Sequence, residues 1–345
     1  MKILHVLSSN KFSGAENVAC QIAGLYEHCP DVDVIYCSPE GPIREALTDR
    51  RVTFVSVGES LTMSSLKKII KKQTPDIIHA HDMRASFIVS FVCGKIPYVS
   101  HIHNNAFDSR GISLKSIVYY LAAKKAKHII WVSNSAFKGY RFHKDFETKS
   151  TVLYNIIDEE NLYSKMKEDR NSYDYDVVYV GRLTYPKNPQ RLMKILLKVV
   201  QAMPQIKIAV IGTGELEEEI LELNRELKLE DNVKFLGFQK NPLKILHDSK
   251  VMVMTSRWEG LPMCALESLA LGVPIVSTPT DGLKELIVDG ENGFLSNEDD
   301  VLKDSIIEIV RNNDLHDKLS KNALNTSHVI NNAEHYREVL EEIYK

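Results

Sequence analysis

The chain has 345 residues, too many for one ordinary hydrophobic core, so two domains of about 170 residues each are expected. With 44% hydrophobic and 26% charged residues and a net charge of −3, the composition excludes disordered and fibrous classes, and no overall basic surplus points to nucleic acid. Five scattered cysteines (Cys20, Cys29, Cys37, Cys93, Cys264), without a C-x-x-C pair, fit a reducing cytoplasm.

The opening run MKILHVLSSN is short and lacks a small-residue cleavage site, so it reads as a first strand and not as a signal peptide. Further strands are expected at Asp33–Cys37, Val52–Val55, Ile77–Ala80, Tyr98–His101, Ile129–Val132 and Thr151–Leu153, with helical patterns between them. The most apolar stretch, Ala85–His103, is broken by Gly94, Lys95 and Pro97, well below the ~20 uninterrupted residues of a spanning helix. The polar, non-periodic segment Asn155–Tyr175 reads as a linker. A second series follows at Asp176–Val180, Ile206–Ile211, Val233–Leu236, Val251–Met254 and Pro274–Ser277, and Ala333–Lys345 reads as one amphipathic helix. Strands alternating with helices predict two α/β, doubly wound, parallel-sheet domains, residues 1–165 and 166–328, facing a central cleft.

Charge is unevenly spread. Residues 1–165 carry 21 Lys+Arg against 16 Asp+Glu, and residues 166–345 carry 22 against 30. Lys67, Lys68, Lys71 and Lys72, and Lys124, Lys125 and Lys127, form either solvated helix faces or a surface attracted to anionic lipid at about 1 kcal/mol per basic residue.

Three motifs carry chemistry. SSNKFSGAEN, residues 8–17, lies between the first strand and a helix, where Gly14 lets backbone amides approach an anion at the helix N-terminus. GRLTYPKNPQR, residues 181–191, follows the first strand of the second half, and its Arg182 and Lys187 can hold a diphosphate and stabilise it as it leaves. In SRWEGLPMCALESLALGVPIVST, residues 256–278, Glu259 stands in a loop and Glu267 about two turns into the helix that Leu261-Pro262 introduces. One carboxylate can accept hydrogen bonds from sugar hydroxyls and the other from a ribose, while the intervening backbone amides can face phosphate or sugar.

Gly14-Ala15-Glu16, Gly181-Arg182 with Lys187, Gly212-Thr213-Gly214, and Glu259-Gly260-Leu261-Pro262 with Glu267 and Gly272-Val273-Pro274 resemble, in order and over nearly the whole chain, family-4 glycosyltransferases of the GT-B fold. The resemblance implies a retaining enzyme with the donor in the C-terminal domain, the acceptor mainly in the N-terminal one, and residues 329–345 returning to the N-terminal domain. It assigns Arg182 and Lys187 to the donor diphosphate, Glu259 to the donor sugar, Glu267 to the ribose, the Gly14 loop to phosphate, and His103, in PYVSHIHNN, to the donor sugar. Gly212, Gly260, Leu261 and Pro262 join the donor-binding set. Two positions depart from the pattern: Asn188 stands where Gly is frequent, and Asp281-Gly282 replaces Gly-Gly.

His79, His81, His101 and His103 alternate on their strands, so a metal cluster is conceivable, but no metal is expected. Asp31-Val32-Asp33 and Asp174-Tyr175-Asp176 match a metal-binding string yet precede strands, the wrong end of a sheet for chemistry. A dehydrogenase is disfavoured because Glu217 replaces the third glycine of G-x-G-x-x-G, and a lectin-like sensor because every leaving-group contact is present. The remaining alternative is a nucleotide-sugar 2-epimerase of the same architecture. By analogy the expected donor is a UDP-sugar, with GDP-sugar as second choice, and the expected acceptor a saccharide or lipid-linked saccharide of capsule or other glycoconjugate synthesis. No cofactor and no nucleic acid partner are expected. The expected location is cytoplasmic, with peripheral contact at the inner face of the plasma membrane.

Overall fold

Alternation of buried strands with amphipathic helices produces two parallel sheets in the computed structural model, which describes residues 1–104 and 107–345. The chain divides into Met1–Ile156 with Asn332–Lys345, and Ile157–Asn331.

The first unit contains β1 (Lys2–Val6), β2 (Asp33–Ser38), β3 (Thr53–Ser56), β4 (Ile77–His81), β5 (Tyr98–Ile102), β6 (His128–Trp131) and β7 (Ser150–Val152) in the order β3-β2-β1-β4-β5-β6-β7. Every residue of β4 and β5 is buried, as expected for parallel strands covered on both faces. Register pairs His5 with His79 and His81 with His101. Because alternate residues share a face, these four histidines and His103, just past β5, stand together on one side of the sheet. The last helix, Ala333–Tyr344, belongs to this unit: its Tyr336, Leu340 and Tyr344 are buried, and the Tyr344 hydroxyl lies 2.6 Å from His79 Nδ1.

The second unit contains β8 (Val177–Val180), β9 (Ile208–Ile211), β10 (Val233–Gly237), β11 (Val251–Met254), β12 (Ile275–Ser277) and β13 (Gly293–Leu295), ordered β10-β9-β8-β11-β12-β13. The helix Pro189–Ala202 begins with proline at its first position and buries Leu192, Met193, Ile195, Leu196 and Val199, one stripe at helical spacing, in the core. Each such fully buried aliphatic side chain contributes about 1.5–3 kcal/mol.

The segment expected to be the linker, Asn155–Tyr175, contains the change of unit at Ile156/Ile157 and also holds a helix, Glu159–Glu168, capped by the Asp158 carboxylate on Asn161 N at 3.0 Å. Only Leu162 and Met166 of it are buried, so the apolar stripe is too thin to read in sequence. The residue 165/166 boundary falls inside this helix, and the chain changes unit at Ile156/Ile157 and again at Asn331/Asn332. β13 is a further element that the sequence reading does not anticipate.

Candidate active site

In a doubly wound sheet, ligands bind beyond the carboxyl ends of strands where the winding reverses. In the second unit that point lies between β8 and β11, and the loops leaving those two strands carry Arg182, Lys187 and Glu259.

The loop after β8 turns through a short 3-10 segment, Tyr185–Lys187, into Asn188, whose φ and ψ of 55° and 52° are left-handed. Asparagine tolerates this conformation better than other residues with a side chain, so Asn188 serves where glycine is frequent. Thr255 Oγ1, just past β11, donates to the carbonyls of Lys187 and Asn188 at 3.2 and 3.1 Å, and Arg257 N donates to Pro186 O at 2.7 Å. These bonds lock the two loops together.

Lys187 Nζ then reaches Glu259 Oε1 at 2.5 Å, with only 15% and 10% of the two side chains exposed. Burial by itself pulls the Lys187 ammonium down, but the Glu259 carboxylate outweighs it and holds the group above its ordinary value. Glu259 Oε1 also accepts from Ser256 Oγ at 2.5 Å, and Glu259 N donates to Asp281 Oδ2 at 2.8 Å. Asp281 holds φ at 39°, so the second departure from the family pattern keeps a left-handed backbone and adds a carboxylate that orients the Glu259 loop. Gly282 after it is obligatory, since a Cβ there would meet Gly260 O at 1.9 Å.

Arg182 is exposed, and among the described residues no carboxylate pairs with it, although its charge reaches Lys187. Gly212 holds φ at 129° with its Cα against Gly181 O, where a Cβ would lie 2.0 Å away, and a Cβ on Gly214 would lie 2.3 Å from Leu183 O, so the loops after β8 and β9 touch because both positions are glycine. Pro262 leads into the helix Met263–Ala270 without a side-chain cap of its own, beside the buried Leu261. Glu267 is half-buried on that helix. Burial pushes the neighbouring Cys264 thiol up to about 12, with Lys187 opposing and Glu259 and Glu267 adding to the rise, which sets all three charges around one thiol.

The structure thus brings Arg182, Lys187, Gly212, Glu259, Gly260, Leu261, Pro262 and Glu267 into one unit. Gly14 and His103 belong to the other. There Gly14 begins the helix Gly14–Leu25, and the Ser13 hydroxyl donates to Glu16 Oε2 at 2.5 Å instead of capping the helix. Burial raises the Glu16 carboxyl above its ordinary value. Asp82, past β4, accepts from Ser8 Oγ and Ala85 N, both at 2.6 Å, bridging β1 and β4 where the first sheet reverses. His103 Nε2 lies 2.9 Å from His81 Nδ1, and burial lowers His103 to about 3. Three ring nitrogens from His5, His79 and His81, or from His81, His101 and His103, lie within 4.8 Å of one another. Ser256 and Asp281 are site residues that sequence reasoning did not single out for a role, although Asp281 signalled itself as a departure.

Residues 12–161 match the model described as Glycosyltransferase Family 4, and residues 164–326 the model described as Glycosyl transferases group 1. An uncharacterized glycosyltransferase of Methanocaldococcus jannaschii is 32% identical over 61% of this chain and 57% of its own length. The UDP-Gal:alpha-D-GlcNAc-diphosphoundecaprenol alpha-1,3-galactosyltransferase of Escherichia coli is 28% identical over 87% of this chain and 85% of its own. The crystal structure of Anabaena HepE with UDP-glucose superimposes with a TM-score of 0.86 over 99% of this chain and 100% of that one, at 22% identity, which establishes a shared fold. None of these findings points to a 2-epimerase. The first model takes in β2–β7 of the seven-stranded sheet and the second all six strands of the other, so the chain belongs to the family-4 glycosyltransferases of the GT-B fold.

Proposed function

We propose that the chain is a retaining, metal-independent glycosyltransferase that moves a hexosyl or N-acetylhexosaminyl group from a UDP-sugar to a saccharide or lipid-linked saccharide. The observation that carries this reading is the Lys187–Glu259 pair at the winding reversal of the second sheet, with Arg182 beside it. Two cations there match a diphosphate leaving group, and a carboxylate already desolvated and oriented matches a sugar hydroxyl. Arg182 and Lys187 hold the diphosphate, Glu259 the sugar, Glu267 the ribose, and the Gly212 and Gly260-Leu261-Pro262 backbones line the donor. Gly14 and His103 contribute from the acceptor domain, His103 toward the donor sugar. The UDP preference draws support from the UDP-glucose complex of the HepE relative, and the acceptor class from the diphosphoundecaprenol named for the E. coli relative.

A peripheral site at an anionic inner membrane face has its own support in the first unit. No helix among the described residues is long and apolar enough to cross a membrane. The helix Leu114–Lys125 exposes Leu114 (80%), Ile117 and Leu121 at successive turns, with Ile112 before it and Phe91 of the neighbouring helix beside Lys125. Such a stripe next to lysines fits a lipid surface.

Thermal denaturation with UDP-, GDP- and ADP-sugars tests the donor. A UDP-sugar should raise the melting temperature most, because it binds the native state, and a shift with none of them would overturn the reading.

A further inference from the structure

Five histidines stand side by side on one sheet face, four of them fully buried, more than a core needs. Those nearest the site form a connected thread. His5 Nδ1 lies 2.6 Å from His81 Nε2, and His81 Nδ1 lies 2.9 Å from His103 Nε2, while His5 Nε2 and His103 Nδ1 at the two ends have no partner. His5 and His81 are fully buried and His103 is partly exposed. The rings of His81 and His103 stack, with centroids 5.1 Å apart and planes 12° apart.

A neutral imidazole has one N–H and one lone pair, so each bond in this thread fixes the next. Burial keeps all three rings neutral. If His103 Nε2 donates inward, His81 must donate to His5, and an unpaired N–H is left at the deep end. If His5 donates outward, His81 donates to His103 Nε2, the deep end holds only a lone pair, and the Nδ1–H of His103, the outermost residue of the thread, is the donor left without a partner. Either arrangement leaves one buried N–H without a protein partner, but His5 is fully enclosed whereas His103 is partly exposed, so only the outward arrangement puts that costly orphaned donor where an arriving ligand oxygen can satisfy it. A shared cation suits the geometry less well. Zn–N bonds of about 2.0–2.1 Å hold tetrahedral nitrogens roughly 3.3 Å apart around one centre, whereas these pairs face one another at hydrogen-bond distance.

We propose that His81, backed by His5, is a positioning residue that fixes the tautomer of His103, so that His103 presents Nδ1–H as a hydrogen-bond donor to an oxygen of the donor sugar. The claim rests on the reading that His103 faces that sugar. His81→Phe keeps an aromatic ring and removes the relay, whereas His81→Asn retains an amide N–H at the position of Nδ1.

The test is 15N NMR of the histidine-labelled full chain together with steady-state kinetics. The wild type should show His103 protonated on Nδ1. His81→Phe should shift it toward Nε2–H and lower kcat at least about 10-fold at nearly unchanged KM for the donor, and His81→Asn should restore both. His103 protonated on Nε2 in the wild type, an unaltered His103 tautomer in His81→Phe, or one tightly held zinc per chain released by that substitution would each overturn the relay. Normal turnover in His103→Ala would instead overturn the sugar-facing reading, a result that the tautomer measurement cannot mimic.

Discussion

Lys187 Nζ lies 2.5 Å from Glu259 Oε1, so a largely buried ion pair joins the loops that leave β8 and β11. Arg182, on the same loop as Lys187, is exposed. The two cations therefore differ in what their loss does to the fold. Arg182→Ala and Lys187→Ala should each slow turnover by about 10²-fold or more, the scale of one lost contact to developing charge. Only Lys187→Ala should also destabilise the protein, by roughly 3 kcal/mol, because it leaves the Glu259 carboxylate buried without its cation. Equal melting temperatures for the two variants would contradict this division, and unimpaired turnover would remove both from the reaction.

Activity should survive EDTA. With Arg182 and Lys187 as counterions to the departing diphosphate, no step requires a divalent ion. Complete loss of transfer on chelation, restored by manganese or magnesium, would defeat the proposal.

Much of the frame is legible in the amino-acid sequence because parallel strands buried on both faces read as short β-branched runs: Val251–Met254 is marked off residue for residue, and Ile77 and Tyr98 begin their strands where the pattern begins. Elements with few buried contacts are not legible. The helix Glu159–Glu168 buries two residues, and Gly293–Leu295 is three residues inside a turn-rich sequence. At the site, motif membership identifies Lys187 and Glu259 but not their bond across 72 positions, nor the Asp281 carboxylate that holds the Glu259 amide. Strand alternation puts His79 with His81, and His101 with His103. Only the register between β1, β4 and β5 brings in His5 and makes one thread.

The same histidines make the protein acid-sensitive. Burial lowers His5 and His103 to about 3 and holds His79, His81 and His101 well below their ordinary value, so the unfolded chain takes up protons at these positions first. Their contribution is complete above pH ~6.5 and declines as pH falls toward the folded values, by about 1.4 kcal/mol per pH unit for each histidine that must stay neutral. Asp82 and Glu16, raised by burial, act in the opposite sense but are only two groups. The melting temperature should fall steeply between pH ~6.5 and ~5. A flat profile over that interval would show that the thread accepts protons in the folded state.

Weak, salt-sensitive binding to anionic vesicles is expected from the first unit. Lys67, Lys68, Lys71 and Lys72 are exposed on the helix Met63–Gln73, while in the other lysine-rich stretch Lys125 and Lys127 already donate to the carbonyls of Ser90 and Tyr344. Neutralising the first four should weaken vesicle sedimentation, and attraction should fade as salt shortens the Debye length below about 10 Å. Exchanging Leu114, Ile117 and Leu121 for serine should weaken it at all salt concentrations. Unchanged partition in both variants would return these side chains to ordinary surface.

The product should keep the anomeric configuration of the donor. A double displacement would need a carboxylate free to attack the sugar from its far face. Asp82 is unsuited, because its two oxygens already accept from Ser8 Oγ and Ala85 N at 2.6 Å each and burial raises its carboxyl toward the protonated, non-nucleophilic form. Asp108 is exposed and lies 3.7 Å from the Lys115 ammonium. With neither positioned as a nucleophile, attack on the face that the leaving group departs from is the remaining retaining route, in which the diphosphate takes the acceptor proton while Arg182 and Lys187 hold its charge. His103→Ala should then lower turnover and leave nucleotide affinity nearly intact, since its proposed partner is the sugar. The anomeric proton coupling constant of the product decides the stereochemistry: an inverted product would rule out same-face attack, and a glycosyl adduct trapped on Asp82 or Asp108 would replace it with the covalent route.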